Sequence, residues 1–142
     1  MIWFLRHGDA ADGADDFARP LTEKGERQSV AAGGALSKLG VTVDACLVSP
    51  RVRARETARL ACDALGLEPE IAEELQGGDF DPEALAAGRG NVLLVGHEPD
   101  FSRAVGALTG ARIDMKKGGL AAVDGSTLVA LLRPAQIKRI AA

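Results

Sequence analysis

Cysteine is scarce in this chain: Cys46 and Cys62 are the only two in 142 residues. Both sit in apolar stretches expected to be buried. They are expected as reduced thiols, which leaves out a disulfide scaffold or a cysteine metal site. Long apolar runs are missing too. None reaches the ~18 residues that a membrane-spanning helix needs, so no membrane partner is expected. Apolar sequence begins at Ile2, which leaves no room for a signal peptide, and a cytoplasmic location is expected. An excess of positive charge is also absent. The formal net charge is −3, which argues against a general nucleic-acid binder. No His/Cys/Asp cluster has metal-ligand spacing, so neither a metal nor another cofactor is expected. There is no internal repeat and no linker, and a single domain over residues 1–142 is the expectation. What remains is ordinary globular composition, 46% hydrophobic and 26% charged, enough for a core.

The chain is organised around residues 2–8, Ile-Trp-Phe-Leu-Arg-His-Gly. Ile2 to Leu5 is a continuous apolar run, as expected of a strand buried on both faces. It ends abruptly in Arg6, His7 and Gly8, the last tolerating a positive φ. Ligands in open α/β sheets bind outside the carboxyl ends of the strands. The first polar residues of the chain thus fall where a site is expected.

An acidic loop follows, with Asp9, Asp12, Asp15 and Asp16. Thr22 is placed as the N-cap of a helix running to about Leu39, with Val30, Leu36 and Leu39 as apolar marks. Gly33 and Gly34 interrupt it and suggest close packing on the sheet; Gly40 stops it. A second strand is expected over Val43–Val48, then a helix from about Arg51, capped by Gly66. Residues 67–90 read mostly as loop, with a short helix opening at Asp81-Pro82. A third strand starts at about Asn91 and ends in Gly96-His97-Glu98. A helix from about Pro99 to Leu108 follows. Leu120–Val123 and Thr127–Leu132 are two further strands joined at Asp124-Gly125, a strong hairpin signal. The tail after Pro134, with Lys138 and Arg139, is expected as a solvated terminus. The pattern predicts an α/β fold: a mostly parallel sheet, helices on both faces and a C-terminal antiparallel hairpin.

Three of the expected strands end in groups suited to an anion. The first supplies Arg6 and His7. The second supplies Ser49 and opens a helix carrying Arg51, Arg53 and Arg55. The third supplies His97. Arginine forks match phosphate oxygens. One imidazole can act as a nucleophile; a second, if protonated, adds donors and charge. Phosphoryl transfer asks mainly for positioning and charge stabilisation.

Leu5-Arg6-His7-Gly8, Pro20-Leu21-Thr22-Glu23-Lys24-Gly25, Ser49-Pro50-Arg51-Val52-Arg53-Ala54-Arg55-Glu56-Thr57-Ala58 and Val95-Gly96-His97-Glu98-Pro99 occur in that order. Together they resemble the motifs of the histidine phosphatase, or phosphoglycerate mutase-like, superfamily. The resemblance implies that His7 is the nucleophile that becomes phosphorylated. It implies phosphoryl binding by Arg6, Arg53 and His97. Arg53 takes the motif arginine because it precedes Ala54. Arg51 and Arg55 would point about 160–200° away from it on a helix, which suits solvated or rim roles. Ser49 is a candidate donor, or a strand-to-helix cap.

The chain departs from the superfamily pattern at the general acid. Glu74 and Asp79, in Glu73-Glu74-Leu75-Gln76-Gly77-Gly78-Asp79, are the candidates, with solvated loop carboxylates as the alternative. Residues 76–90 are too few for a large lid, so no cap domain and a shallow, open site are expected. That shortness is similar to the small SixA-type phosphohistidine phosphatases. The resemblance implies a metal-independent phosphatase acting on a phosphohistidine-containing protein in signal transduction. Two other readings stay open: a small-molecule phosphomonoesterase, and a phosphate-binding module without turnover.

Overall fold

Ile2–Arg6 forms strand β1. Every second side chain points to the same face, so Trp3 and Leu5 enter one core cluster and Phe4 the other. The computed structural model describes all 142 residues. The remaining strands are β2 Ala45–Val48, β3 Pro69–Ile71, β4 Val92–Gly96, β5 Leu120–Asp124 and β6 Thr127–Leu132. The helices are α1 Glu23–Lys38, α2 Val52–Leu65, α3 Pro82–Ala86, α4 Asp100–Thr109 and α5 Pro134–Ala141. The sheet order is β3-β2-β4-β1-β5-β6. The β3-β2-β4-β1 pairings are parallel, whereas β5 pairs antiparallel with β1 and with β6. The expected α/β class, the mostly parallel sheet and the C-terminal hairpin are all present.

Helices cover both faces. On one, α1, α2 and α5 bring Leu36, Ala58, Ala61 and Ile137 onto Leu5, Val48 and Val95. On the other, Phe101 and Val105 of α4 cover Phe4, Leu94 and Ala121. Phe4 and Phe101 meet edge to face, with ring centroids 5.3 Å apart.

Four expectations change. The tail after Pro134 is helix α5, held by buried Ile137, while Lys138 and Arg139 stay exposed as expected. Pro69–Ile71, expected as loop, is a short edge strand; edge strands tolerate proline. Leu36 is buried as expected, but Val30 and Leu39 are exposed, and the rest of the buried face of α1 is made of small residues. Gly33 does serve close packing, but against α2: a Cβ there would lie 2.2 Å from the Ala61 carbonyl oxygen. No helix is long and apolar enough to cross a membrane.

Candidate active site

The parallel register brings the ends of three strands together. Arg6 of β1 pairs with Gly96 of β4, and Val48 of β2 pairs with Val95. His7, Ser49 and His97 are the residues that follow β1, β2 and β4. All three are buried, and the two imidazole centroids are 5.2 Å apart.

His7 is oriented by its own backbone. Nδ1 lies 2.7 Å from the Gly8 carbonyl oxygen. A carbonyl only accepts, so Nδ1 carries the proton and Nε2 keeps its lone pair. The Arg53 Nε–H points at that lone pair from 3.4 Å. Burial is the main cause that lowers the His7 pKa to about 4, and the charges of Arg53, Arg6 and Lys117 add to it. The imidazole is therefore neutral near pH 7.

Gly8 holds this corner together without a positive φ, contrary to expectation. It is glycine because a Cβ would lie 2.6 Å from the Gly25 carbonyl oxygen. Its N–H donates to Thr57 Oγ1 at 3.1 Å, and Thr57 Oγ1 donates to the Arg53 carbonyl at 2.8 Å. The loop before β5 closes the other side. Gly118 N–H reaches the carbonyls of both Arg6 and His7, and Arg6 donates from Nη1 to the Met115 carbonyl at 2.9 Å. Arg6 Nε is buried with no protein partner.

His97 Nε2 lies 2.8 Å from Ser49 Oγ, which also accepts the Arg51 backbone N–H at 3.2 Å. Ser49 thus braces the turn that leads into α2 and contacts His97 at once, while α2 itself has no side-chain cap. If the Ser49 O–H donates to Nε2, the ring proton sits on Nδ1, which is buried without a protein partner. Burial, followed by His7, Arg53 and Arg51, lowers the His97 pKa to about 3. Its neutral ring offers a donor; the extra charge that protonation would add is absent at neutral pH.

Arg53 is the second residue of α2 and is 7% exposed. Arg55 is exposed on the far side of the helix. Arg51 lies at the rim, donating from Nε to the Gln76 carbonyl and stacking over Phe17. Sequence reasoning missed a 3-10 turn at Asp16–Ala18, which stands against Arg53. Asp16 pairs with Arg19, Arg51 and Arg53, and these arginines, Arg19 first, hold its carboxyl below the usual range. The two histidines are each only 6% exposed.

Glu74 and Asp79 are exposed. They line a separate depression of about 470 Å³ with Phe80 and Asp81, and neither histidine nor Arg53 borders it. A larger groove of about 980 Å³ between α1 and α5 also touches none of the strand-end residues. No group of three or more His, Cys, Asp or Glu side chains is arranged to hold a metal ion.

Comparison with known proteins matches residues 2–84 to the family model of the histidine phosphatase superfamily (branch 1). An uncharacterized protein of Picosynechococcus sp. is 37% identical over 134 residues, covering 84% of this chain and 81% of that protein. The phosphohistidine phosphatase SixA of Escherichia coli is 41% identical over 76 residues, covering 53% of this chain and 47% of that protein. The solved structure of the protein histidine phosphatase SixA complexed with tungstate superposes with a TM-score of 0.83 at 29% identity, covering 96% of this chain and 99% of that one.

Proposed function

This chain belongs to branch 1 of the histidine phosphatase superfamily, and from that membership we propose that it hydrolyses phosphohistidine on a protein partner through a phosphoenzyme on His7. The observation that carries the proposal is the His7 tautomer. The Gly8 carbonyl keeps the proton on Nδ1, and Nε2 faces Arg53 as an unprotonated nucleophile.

In the first step, Nε2 of His7 attacks phosphorus and the bond to the partner's imidazole breaks. Arg6 Nε, the Arg53 guanidinium and His97 Nδ1 are the donors for the phosphoryl oxygens. In the second step, water attacks the phosphoryl group and the His7 Nε2–P bond breaks. His7 then leaves as neutral imidazole, because Nδ1 has kept its proton throughout. The protons of the water stay with the phosphate released.

The substrate class follows from the leaving group. An alkyl ester must expel an alkoxide, the conjugate base of an alcohol whose pKa is close to that of water, about 15.7, and needs an acid at the breaking bond. The candidate acids Glu74 and Asp79 lie in a separate depression. A ring-protonated phosphohistidine expels neutral imidazole, whose conjugate acid has a pKa of about 6.5. The relatives named for phosphohistidine point the same way. The test is kcat/KM for a phosphohistidine protein, an aryl phosphate and an alkyl phosphate. The expected order is that one, with the aryl ester in between. An alkyl ester as the best substrate would overturn the assignment in favour of a small-molecule phosphomonoesterase.

A further inference from the structure

The loop from His7 to Thr22 carries a cluster of charges that the proposed chemistry does not use directly. Asp16 is its centre. Its Oδ1 accepts from Arg19 at 3.0 Å and its Oδ2 accepts from Arg51 at 2.7 Å. Its Oδ2 also accepts from Arg53 Nη2 at 3.3 Å, and its backbone carbonyl accepts from Arg53 Nη1 at 2.8 Å. Asp15 caps the turn by accepting the Phe17 N–H, and Phe17 lies under the Arg51 guanidinium.

Both terminal nitrogens of Arg53 are thereby fastened outward on one residue. A planar guanidinium held at Nη1 and Nη2 has a fixed Nε–H direction. That third donor is the one aimed at His7 Nε2. We infer that Asp16 is the positioning residue of the Arg53 guanidinium: its carboxylate pins the turn through Arg19 and Arg51, and turn and carboxylate together aim Arg53 at the phosphoryl position. The inference rests on the reading of His7 and Arg53 as the phosphoryl site.

Charge alone predicts the opposite behaviour. Asp16 is the only carboxylate paired with Arg53, so removing it raises the positive potential around His7. A carboxylate that merely competed with substrate would, when removed, let oxyanions bind more tightly. A positioning carboxylate, when removed, weakens them.

The experiment compares wild type, Asp16→Ala, Asp16→Asn, Arg53→Ala and the Asp16→Ala/Arg53→Ala pair. Tungstate affinity is read by calorimetry, kcat/KM with an aryl phosphate, and folding by thermal midpoint. Both Asp16 variants are expected to weaken tungstate and to lower kcat/KM by roughly 10–100-fold, as for other losses of an orienting partner. In the Arg53→Ala background Asp16→Ala should add nothing, because it acts only through that side chain. Tighter tungstate binding in Asp16→Ala overturns the inference, and so does an equal loss in both backgrounds. Unchanged tungstate affinity in Arg53→Ala overturns it together with the assignment of Arg53. Absence of turnover in the wild type would sink the phosphatase reading alone, since the calorimetric arm still decides the positioning role.

Discussion

Acid should destabilise this protein steeply, and the two buried histidines are the reason. In the folded chain their pKa values are lowered to about 4 for His7 and about 3 for His97. In the unfolded chain both return to about 6.5. Between those values the unfolded state binds more protons, so stability falls as pH falls. Each histidine contributes a slope of ~1.4 kcal/mol per pH unit, and together they remove roughly 5 kcal/mol between pH 7 and about pH 4.5. That is a large part of the 5–15 kcal/mol of a typical domain. Urea unfolding across this range, extrapolated linearly, measures it. The buffer must be free of phosphate, because a bound oxyanion favours the protonated rings. His7→Asn and His97→Asn should each remove about half the slope. A wild-type slope near zero would refute the reasoning, as would slopes unchanged in both variants.

Arg53→Ala should lower kcat/KM by about 100-fold or more, as expected when a transition-state donor is lost. Arg55→Ala, exposed on the opposite face of α2, should stay within a few-fold of wild type; equal losses would refute the assignment of Arg53. Ser49→Ala removes the partner of His97 Nε2 and the acceptor for Arg51 N–H. It should cost ~1–3 kcal/mol of stability in urea unfolding and lower kcat while leaving the His7 corner intact. An unchanged kcat would show that His97 needs no such anchor.

The strand ends were legible because their side chains break apolar runs. Arg6, His7, Ser49 and His97 stand out against Ile2–Leu5, Val43–Val48 and Val92–Val95. The parallel register then gathers them without further instruction. Gly66, Thr22 and Asp81 were readable for a similar reason, since helix caps are local chemistry. Long-range consequences were hidden. Gly8 looked like a residue for unusual φ, but its reason is Gly25, seventeen positions away and pressed against it. Asp16 sat unremarked among four loop aspartates. Its meaning comes from Arg51 and Arg53, which reach it only once α2 is docked. Helix α5 was missed because Ile137 and Ile140 are too few to show a period, and their partner α1 is a hundred residues earlier in the chain.

Trapping the phosphoenzyme tests His7 most directly. The protein is mixed with a labelled phosphohistidine protein, quenched within one turnover, and the label is located and tested for bond stability. A phosphoramidate on His7 is predicted: lost in acid, kept in base, and absent from His7→Ala. Label that survives acid, or that persists in the His7→Ala protein, would contradict a nucleophilic His7.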